Sequence, residues 1–185
     1  SKYKPKIIIN CAAYTNVDES EKNKDLAYKI NCESVKNLVK ICKLRDIYLI
    51  HFSTDYVFKG DKNKHSEKNK TSPINYYGKT KKISEGIIIK NLDNYLIFRT
   101  SWLIGEFKNN FLIKIFKLLK KQKKIYMAND QYSNPTTTSL VSMITLLCCE
   151  NFYKKKNILQ GIYHLSCEPP ISKLDFTIYV YKKLK

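Results

Sequence analysis

Three side chains near the middle of the chain have the chemistry of a proton-transfer site. Thr54 follows a short apolar run, and Tyr77 and Lys81 stand at the start of a helical pattern, where they lie one turn apart on one face. A tyrosine with a pKa of ~10 is a poor acid or base near neutrality. We therefore predict that the ammonium of Lys81 lowers the pKa of Tyr77. Thr54, or its neighbour Ser53, would orient the phenol.

The tyrosine-lysine spacing is weak evidence by itself. Three tyrosines, Tyr77, Tyr179 and Tyr181, are followed by a lysine at the fourth residue, about as many as chance gives with 14 tyrosines and so many lysines. Tyr77 differs from the other two because it follows a strand, a hydroxyl segment and a Ser-Pro step typical of a helix start. On spacing alone, an exposed helix pair is the alternative.

Strands and helices alternate along the first part of the chain. Apolar runs and helical periodicity predict strands at 6–13, with Ile7, Ile8 and Ile9 buried, at 47–53 and at 95–100, and helices at 25–44 and 76–90. This order predicts an α/β fold, a Rossmann-like parallel sheet with helices on both faces. Ligands bind such sheets at the carboxyl ends of the strands, so we expect one cleft beside segments 12–15, 53–56 and 100–102.

The pattern beyond Gly105 is less regular. It predicts helices at 110–122, 139–152 and 172–184, strands at 125–127 and 161–166, and a loop at 130–138. We therefore predict a partial nucleotide-binding domain, residues 1–105, followed by a smaller α/β substrate-binding lobe, residues 106–185.

The formal net charge of +18 would ordinarily indicate a polyanionic partner. Arg45 and Arg99 are the only arginines, however, and the lysines are scattered, so bidentate contacts to bases and phosphates are almost absent. We expect no nucleic-acid partner, but a positive field around an anionic small substrate. No apolar run approaches the ~20 residues of a membrane span, so we expect no membrane partner.

The cysteines and histidines predict no metal site. The six cysteines lack paired ligand spacing and lie in apolar contexts, which predicts buried, reduced thiols and a cytoplasmic location. The three histidines are dispersed, and we expect them to be structural or exposed. These residues are Cys11, Cys32, Cys42, Cys148, Cys149, Cys167, His51, His65 and His164.

Taken together, the segments resemble the dTDP-4-dehydrorhamnose reductases, a family of the extended short-chain dehydrogenase/reductase superfamily. The resemblance covers nearly the whole chain in matching order, which is more specific than any one motif. It is carried by Ile-Asn-Cys-Ala-Ala-Tyr-Thr (9–15), Ser-Thr-Asp-Tyr-Val-Phe (53–58), Tyr-Gly-Lys-Thr-Lys (77–81), Arg-Thr-Ser-Trp (99–102), Asn-Asn-Phe (109–111), Asp-Gln (130–131), Pro-Thr (135–136) and Gly-Ile-Tyr-His-Leu-Ser (161–166).

The resemblance implies a reaction and three catalytic residues. A nicotinamide would deliver hydride to C4 of dTDP-4-dehydro-L-rhamnose, giving dTDP-L-rhamnose for cell-surface polysaccharide, while Tyr77 protonates the C4 oxygen. Lys81 would hold the nicotinamide ribose and lower the pKa of Tyr77, and Thr54 would adjust that pKa.

The resemblance also implies binding residues. NADPH or NADH would be lined by Ala12, Ala13, Tyr14, Thr15 and Phe52, together with Tyr77 and Lys81. The dTDP-sugar would contact Thr54, Asp55, Tyr56 and Trp102. The alternatives are that Trp102 is an ordinary core residue and Asp55 a turn or cap residue. Asn31 would be a polar group behind the site or a plain helix position.

One departure from the family is serious. Its members begin with a strand, a glycine-rich pyrophosphate-binding turn and a helix, whereas this chain has five glycines and no such motif. We therefore expect part of, or a shortened descendant of, a reductase. A non-catalytic scaffold, like the regulatory subunit of methionine adenosyltransferase in the same superfamily, and a nucleotide-sugar epimerase or dehydratase are the alternatives. The resemblance also admits a homodimer and a Mg²⁺ ion, for which no ligands can be assigned.

Overall fold

The computed structural model describes residues 3–61, 64–106, 110–121 and 124–184. They form two compact units, one of Ser1–Arg99 and Asn151–His164, the other of Thr100–Glu150 and Leu165–Lys185. This division differs from the expected boundary at residue 105, because a late strand returns to the first unit. Asn109, which the resemblance includes, lies outside the described residues.

The helices and strands alternate as predicted for an α/β chain. In chain order they are β1 (Ile7–Asn10), α1 (Val17–Lys22), α2 (Lys24–Tyr28), a π-helical turn (Lys29–Glu33), α3 (Ser34–Arg45), β2 (Tyr48–Thr54), a 3₁₀ turn (Asp55–Val57), α4 (Tyr76–Asn91), β3 (Tyr95–Thr100), β4 (Leu103–Ile104), α5 (Phe111–Lys121), β5 (Tyr132–Ser133), β6 (Thr136–Thr137), α6 (Thr138–Tyr153), β7 (Gly161–His164), β8 (Ile171–Ser172) and α7 (Lys173–Lys183).

The first unit is built on a four-stranded sheet in the order β1-β2-β3-β7. β1 runs parallel to β2, and β3 runs parallel to β7. Leu49 packs with α3 and α4 in the main hydrophobic core. The adjacent Tyr48 points to the opposite face, where its ring stacks on Phe152 at the end of α6 with 4.9 Å between centroids. The parallel sheet with helices on both faces is therefore confirmed.

Three details differ from the sequence-based expectations. Ile9 is 42% exposed, because β1 lies at one end of the sheet order. The helix expected at 25–44 is interrupted by the π-helical turn. No strand forms within residues 125–127, since Met127 packs instead against the core of the second unit.

The second unit has two short strand pairs and its own core. β4 pairs in parallel with β6, and β5 pairs antiparallel with β8. The core is formed by Ile115 of α5 with Phe176 and Val180 of α7. Its mixture of helices and strands agrees with the predicted α/β character of this part of the chain.

The cysteines correct one expectation. Cys32, Cys42 and Cys148 are buried, but Cys149 and Cys167 are half-buried and Cys11 is exposed, because it directly follows the end strand β1. All six are free thiols.

Within the described ranges, none of the helices combines the length and the apolar character needed to cross a membrane.

Candidate active site

The start of α4 is held against the turn that follows β2. The Asn75 side chain caps α4 by accepting a hydrogen bond from the Gly78 N–H at 2.7 Å. A Cβ on Gly78 would lie 2.2 Å from the Tyr56 carbonyl oxygen, so only glycine permits this approach. As a result, the rings of Tyr56 and Tyr77 meet edge to face, with 6.0 Å between centroids.

Thr54 lies beside Tyr77, as the sequence predicted. The two side chains share a hydrogen bond that lowers the pKa of Tyr77. Thr54 Oγ1 also accepts the Tyr56 N–H at 3.2 Å and donates to Asp55 Oδ1 at 3.1 Å, so its rotamer is fixed. Ser53 instead donates to Glu85 Oε1 at 2.5 Å.

The pKa of Tyr77 shifts in the opposite direction to the prediction. Burial raises it to about 12, which outweighs the hydrogen bond shared with Thr54, and the nearby Asp55 and Tyr56 raise it further. Lys81 is not among the groups that shift this pKa, so the expected lowering does not appear in the structure. A phenol in this environment keeps its proton near neutrality, so it is present as a proton donor and not as a base, although the raised pKa makes it a weaker acid.

Lys81 is directed toward β2. Its side chain is 2% exposed, and Nζ lies 3.1 Å from Nε2 of His51. Burial lowers the pKa of Lys81 to about 8, although Glu85 acts in the opposite direction. Burial and the charge of Lys81 also hold the pKa of His51 well below 6.5. The buried polar pair behind the site thus consists of the Lys81 amino group and the neutral imidazole of His51.

Asn31 connects the segment after β1 to α4. Its Oδ1 accepts the Tyr14 N–H at 2.8 Å, and its Nδ2 donates to the Tyr14 carbonyl at 3.1 Å and to Thr80 Oγ1 at 2.9 Å. Thr80 Oγ1 in turn donates to the Tyr77 carbonyl at 2.7 Å. Asn31 is 1% exposed and lies in the π-helical turn, so it is a polar group behind the site and not a plain helix position.

The residues predicted to line a cofactor lie in this first unit. Ala12 and Thr15 are exposed, Ala13 and Tyr14 are half-buried, and Phe52 is half-buried against Phe98. The Tyr77 hydroxyl and the Lys81 amino group are hydrogen-bonding groups of the kind that a nicotinamide ribose would use, but the contacts of all these residues with a cofactor remain predictions. The 185 residues contain no glycine-rich turn for the pyrophosphate.

Two predicted substrate residues have structural contacts of their own. Asp55 begins the 3₁₀ turn Asp55–Val57. Trp102 belongs to the second unit, where its ring contacts Phe111 and Phe176 at centroid distances of 4.9 and 6.3 Å. Trp102 also has a positive φ of 29°, which is rare for a bulky residue. Their contacts with a sugar remain predictions.

In the part of the chain that the structure describes, no group of three or more His, Cys, Asp or Glu side chains could hold a metal ion. His51 is completely buried. The ring of His65 stacks on Phe58, and the ring of His164 meets Phe58 edge to face.

A buried ion pair near the end of β2 was not foreseen from the sequence. Arg99 Nε and Nη2 donate to the two carboxylate oxygens of Glu85 at 3.0 and 2.7 Å. Both side chains are 4% exposed. The available signal was weak: Arg99 is one of two arginines, and Glu85 stands one helical turn after Lys81.

The whole chain is similar to proteins of known activity. A family profile described as the RmlD substrate binding domain matches residues 1–185. The chain is 34% identical over 180 residues to the dTDP-4-dehydrorhamnose reductase of Aggregatibacter actinomycetemcomitans, covering 97% of this chain and 61% of the relative. The corresponding enzyme of Salmonella typhimurium is 34% identical over 185 residues, with coverages of 100% and 62%.

A solved structure gives the same result. The crystal structure of dTDP-4-dehydrorhamnose reductase from Bacillus anthracis in complex with NADP superposes with a TM-score of 0.91 at 34% identity. The match covers 99% of this chain and 64% of that one. The chain therefore spans somewhat less than two thirds of the length of these relatives.

Proposed function

Since the chain belongs to the RmlD substrate-binding domain family, we propose that it carries the proton-donating site of a dTDP-4-dehydrorhamnose reductase. The reaction is the reduction of the 4-keto group of dTDP-4-dehydro-L-rhamnose to the alcohol of dTDP-L-rhamnose. The observation that carries the proposal is the contact of Thr54 with Tyr77 at the start of α4, one turn before Lys81.

Each of these residues has a defined task. The Tyr77 hydroxyl gives its proton to the C4 oxygen as negative charge develops there, because its raised pKa keeps it protonated until then. Thr54 holds the hydroxyl in place through their shared hydrogen bond. Lys81 provides the amine that binds a ribose hydroxyl of the cofactor. The nicotinamide supplies the hydride when bound.

We propose NADPH as the cofactor, with NADH as the alternative. NADP is present in the Bacillus anthracis reductase, which is 34% identical to this chain. The backbone of Ala12, Ala13, Tyr14 and Thr15 would line it, and Asn31 supports that segment through Tyr14. Phe52 would contact the nicotinamide end.

The substrate proposal rests on charge and on three side chains. The net charge of +18 favours an anionic nucleotide sugar over a neutral one. Asp55, Tyr56 and Trp102 would contact the sugar and the nucleotide. A homodimer, a Mg²⁺ ion and a cytoplasmic location are further predictions from the family, and size-exclusion chromatography with light scattering would measure the first.

Cofactor binding is the experiment that tests the proposed function. NADPH and NADH are titrated by calorimetry into the 185-residue chain and into the product of the longest reading frame that contains it. Turnover of dTDP-4-dehydro-L-rhamnose is then measured with whichever form binds. Binding of NADPH followed by formation of dTDP-L-rhamnose is the expected result.

A non-catalytic scaffold of the same superfamily is the competing function. If neither form binds either nucleotide, the reductase proposal fails and the scaffold replaces it. If a form binds NADPH but reduces a different nucleotide sugar, the substrate assignment fails while the roles of Thr54 and Tyr77 survive.

A further inference from the structure

Three polar side chains form a row of hydrogen bonds, which runs through the first unit from Lys81 to the end of β1. Lys81 Nζ lies 3.1 Å from His51 Nε2, and His51 Nδ1 lies 3.1 Å from Asn10 Nδ2. The other amide atom of Asn10, Oδ1, accepts the Ala12 N–H at 3.2 Å. His51 is completely buried and Lys81 is 2% exposed, so solvent cannot replace their contact with each other, whereas Asn10 is half-buried and Ala12 is exposed. This row of hydrogen bonds thus joins Lys81 to the backbone of the predicted cofactor segment.

The chemistry of imidazole allows this row of hydrogen bonds two arrangements, one for each protonation state of Lys81. A neutral imidazole carries one N–H donor and one acceptor nitrogen, so it cannot accept hydrogen bonds from Asn10 and Lys81 at once. If Lys81 is an ammonium, it donates to Nε2, and the proton of His51 resides on Nδ1. Asn10 must then present its oxygen to Nδ1, and the Ala12 N–H loses that oxygen.

The neutral amine gives the opposite arrangement. The proton of His51 then resides on Nε2, where it meets the lone pair of the Lys81 amine, and the Ser84 hydroxyl lies 3.4 Å away. Asn10 donates from Nδ2 to Nδ1 and keeps Oδ1 on the Ala12 N–H. Each state of the lysine is therefore compatible with one tautomer and one amide orientation.

We propose that His51 and Asn10 are positioning residues that couple the protonation of Lys81 to the backbone of Ala12 through the tautomer of His51. Loss of the Lys81 proton turns the Asn10 oxygen onto the Ala12 N–H, and gain of the proton releases that N–H. The consequence for cofactor binding rests on the proposed function. The coupling itself rests only on the three contacts.

The groups around this row of hydrogen bonds allow Lys81 to lose its proton at an experimentally accessible pH. Burial holds the pKa of Lys81 at about 8, opposed by Glu85 from the same helix and by Cys32 from the π-helical turn. Burial raises the pKa of Cys32 to about 11, so its thiol stays neutral. Glu85 accepts hydrogen bonds from Arg99 and Ser53. His51 itself stays neutral, because its pKa is well below 6.5.

The tautomer of His51 can be read directly in the 185-residue chain. The protein is labelled with ¹⁵N-histidine, and long-range ¹H–¹⁵N spectra are recorded from about pH 6 to about pH 10. The three histidine signals are assigned with single His→Gln variants. We expect His51 to pass from the Nδ1–H to the Nε2–H tautomer with a midpoint near pH 8, which is the pKa of Lys81. One unchanging tautomer, or protonation near the usual histidine pKa of ~6.5, would overturn the proposal.

Two variants fix the end states. Lys81→Met removes the ammonium, so His51 should hold the Nε2–H tautomer at every pH. Asn10→Asp offers acceptor oxygens alone, so His51 should hold the Nδ1–H tautomer over the same range. Lys79→Met, at an exposed position two residues from Lys81, should titrate like the parent chain. A parent-like transition in Lys81→Met or in Asn10→Asp would refute the coupling.

These outcomes are independent of the proposed function. If the tautomer changes as expected but NADPH does not bind, the coupling stands and the reductase proposal fails. If NADPH binds and His51 does not change tautomer, the reductase proposal stands and the coupling fails.

Discussion

Arg99 and Glu85 form a two-point ion pair inside the first unit, with both side chains 4% exposed. Glu85 also accepts the hydroxyl of Ser53 from the end of β2. Arg99 extends the network by donating to the Glu67 carbonyl at 3.3 Å, and the Glu67 carboxylate accepts the His164 N–H of β7 at 2.9 Å. This network thus joins α4, the three neighbouring strands β2, β3 and β7, and a loop beside the candidate site.

Replacing Glu85 with Gln should strongly destabilise the chain. The change leaves the Arg99 charge buried without a counter-charge, and breaking a buried pair on one side costs about 3 kcal/mol or more. We expect a loss of about 3 kcal/mol in the free energy of unfolding, measured by urea denaturation and circular dichroism. Glu19→Gln is the control, because the Glu19–Lys22 pair is exposed and should contribute less than ~1 kcal/mol. Equal effects at both positions would contradict the structural role of the buried pair.

Two glycines of α4 should respond oppositely to alanine. In Gly78→Ala the new methyl group would meet the Tyr56 carbonyl oxygen at 2.2 Å, so the helix must move away from the 3₁₀ turn. We expect a loss of about 2 kcal/mol or more in the free energy of unfolding. Gly86 has nothing within 4 Å of an added Cβ, so Gly86→Ala should stabilise the helix by ~0.5–1 kcal/mol. Similar urea midpoints for the two variants would show that the close approach is absent.

Tyr77→Phe should remove turnover and leave the fold unchanged. The variant keeps the ring contact with Tyr56 but has no proton to give, and such a donor contributes ~10²–10⁴-fold to the rate. The measurement is NADPH oxidation by the form of the protein that binds the cofactor, with circular dichroism as the folding check. Tyr179→Phe is a matched control, because Tyr179 is 56% exposed and also precedes a lysine by four residues. Turnover retained in Tyr77→Phe would exclude this tyrosine as the donor.

Lys81 should impose a pH dependence on stability. Its pKa falls from 10.5 in the unfolded chain to about 8 in the folded chain, so the unfolded chain binds this proton more tightly between those values. The contribution of Lys81 to the free energy of unfolding therefore rises with pH over this interval, while below it both forms are protonated and the burial cost is fully present. Tyr77 acts in the opposite direction only between its pKa values of 10.0 and about 12.

Lys81→Met isolates this contribution. Between about pH 7 and about pH 9.5, the parent chain should gain about 2 kcal/mol in unfolding free energy relative to the variant. The exposed Lys79→Met variant should follow the parent chain across the same range. Parallel stability curves for the parent chain and Lys81→Met would mean that the lysine is protonated alike in both states.

Asn31→Ala should release the segment that follows β1. The backbone of Tyr14 loses both hydrogen bonds to the Asn31 side chain, and the cost of a buried unpaired group is ~1–3 kcal/mol. Hydrogen exchange should show at least about tenfold faster exchange of the Tyr14 amide. Asn37→Ala, at an exposed position of α3, should leave that rate unchanged. An unaltered Tyr14 rate in Asn31→Ala would place the support of this segment elsewhere.

The sequence by itself determined most of the helices and strands and the proximity of Thr54 to Tyr77. The helix start near Tyr76 and the strand at Tyr95–Thr100 were predictable, because periodicity and the Ser-Pro step act within a few neighbouring positions. Thr54 and Tyr77 were recognisable because the strand end and the helix start each carry a local pattern. The order of motifs along the chain identified the family for the same reason, since order is a property of the sequence alone.

Tertiary structure decided the partners and the energetics. Lys81 lies against His51, and burial raises the pKa of Tyr77, whereas the sequence predicted a lowered pKa. Glu85 pairs with Arg99, and β7 pairs with β3. These residues are distant in the sequence, so their contacts could not be predicted from local patterns. Local patterns specify backbone conformation, but a pKa depends on desolvation and on charges that approach through space. Those quantities exist only once the chain has folded.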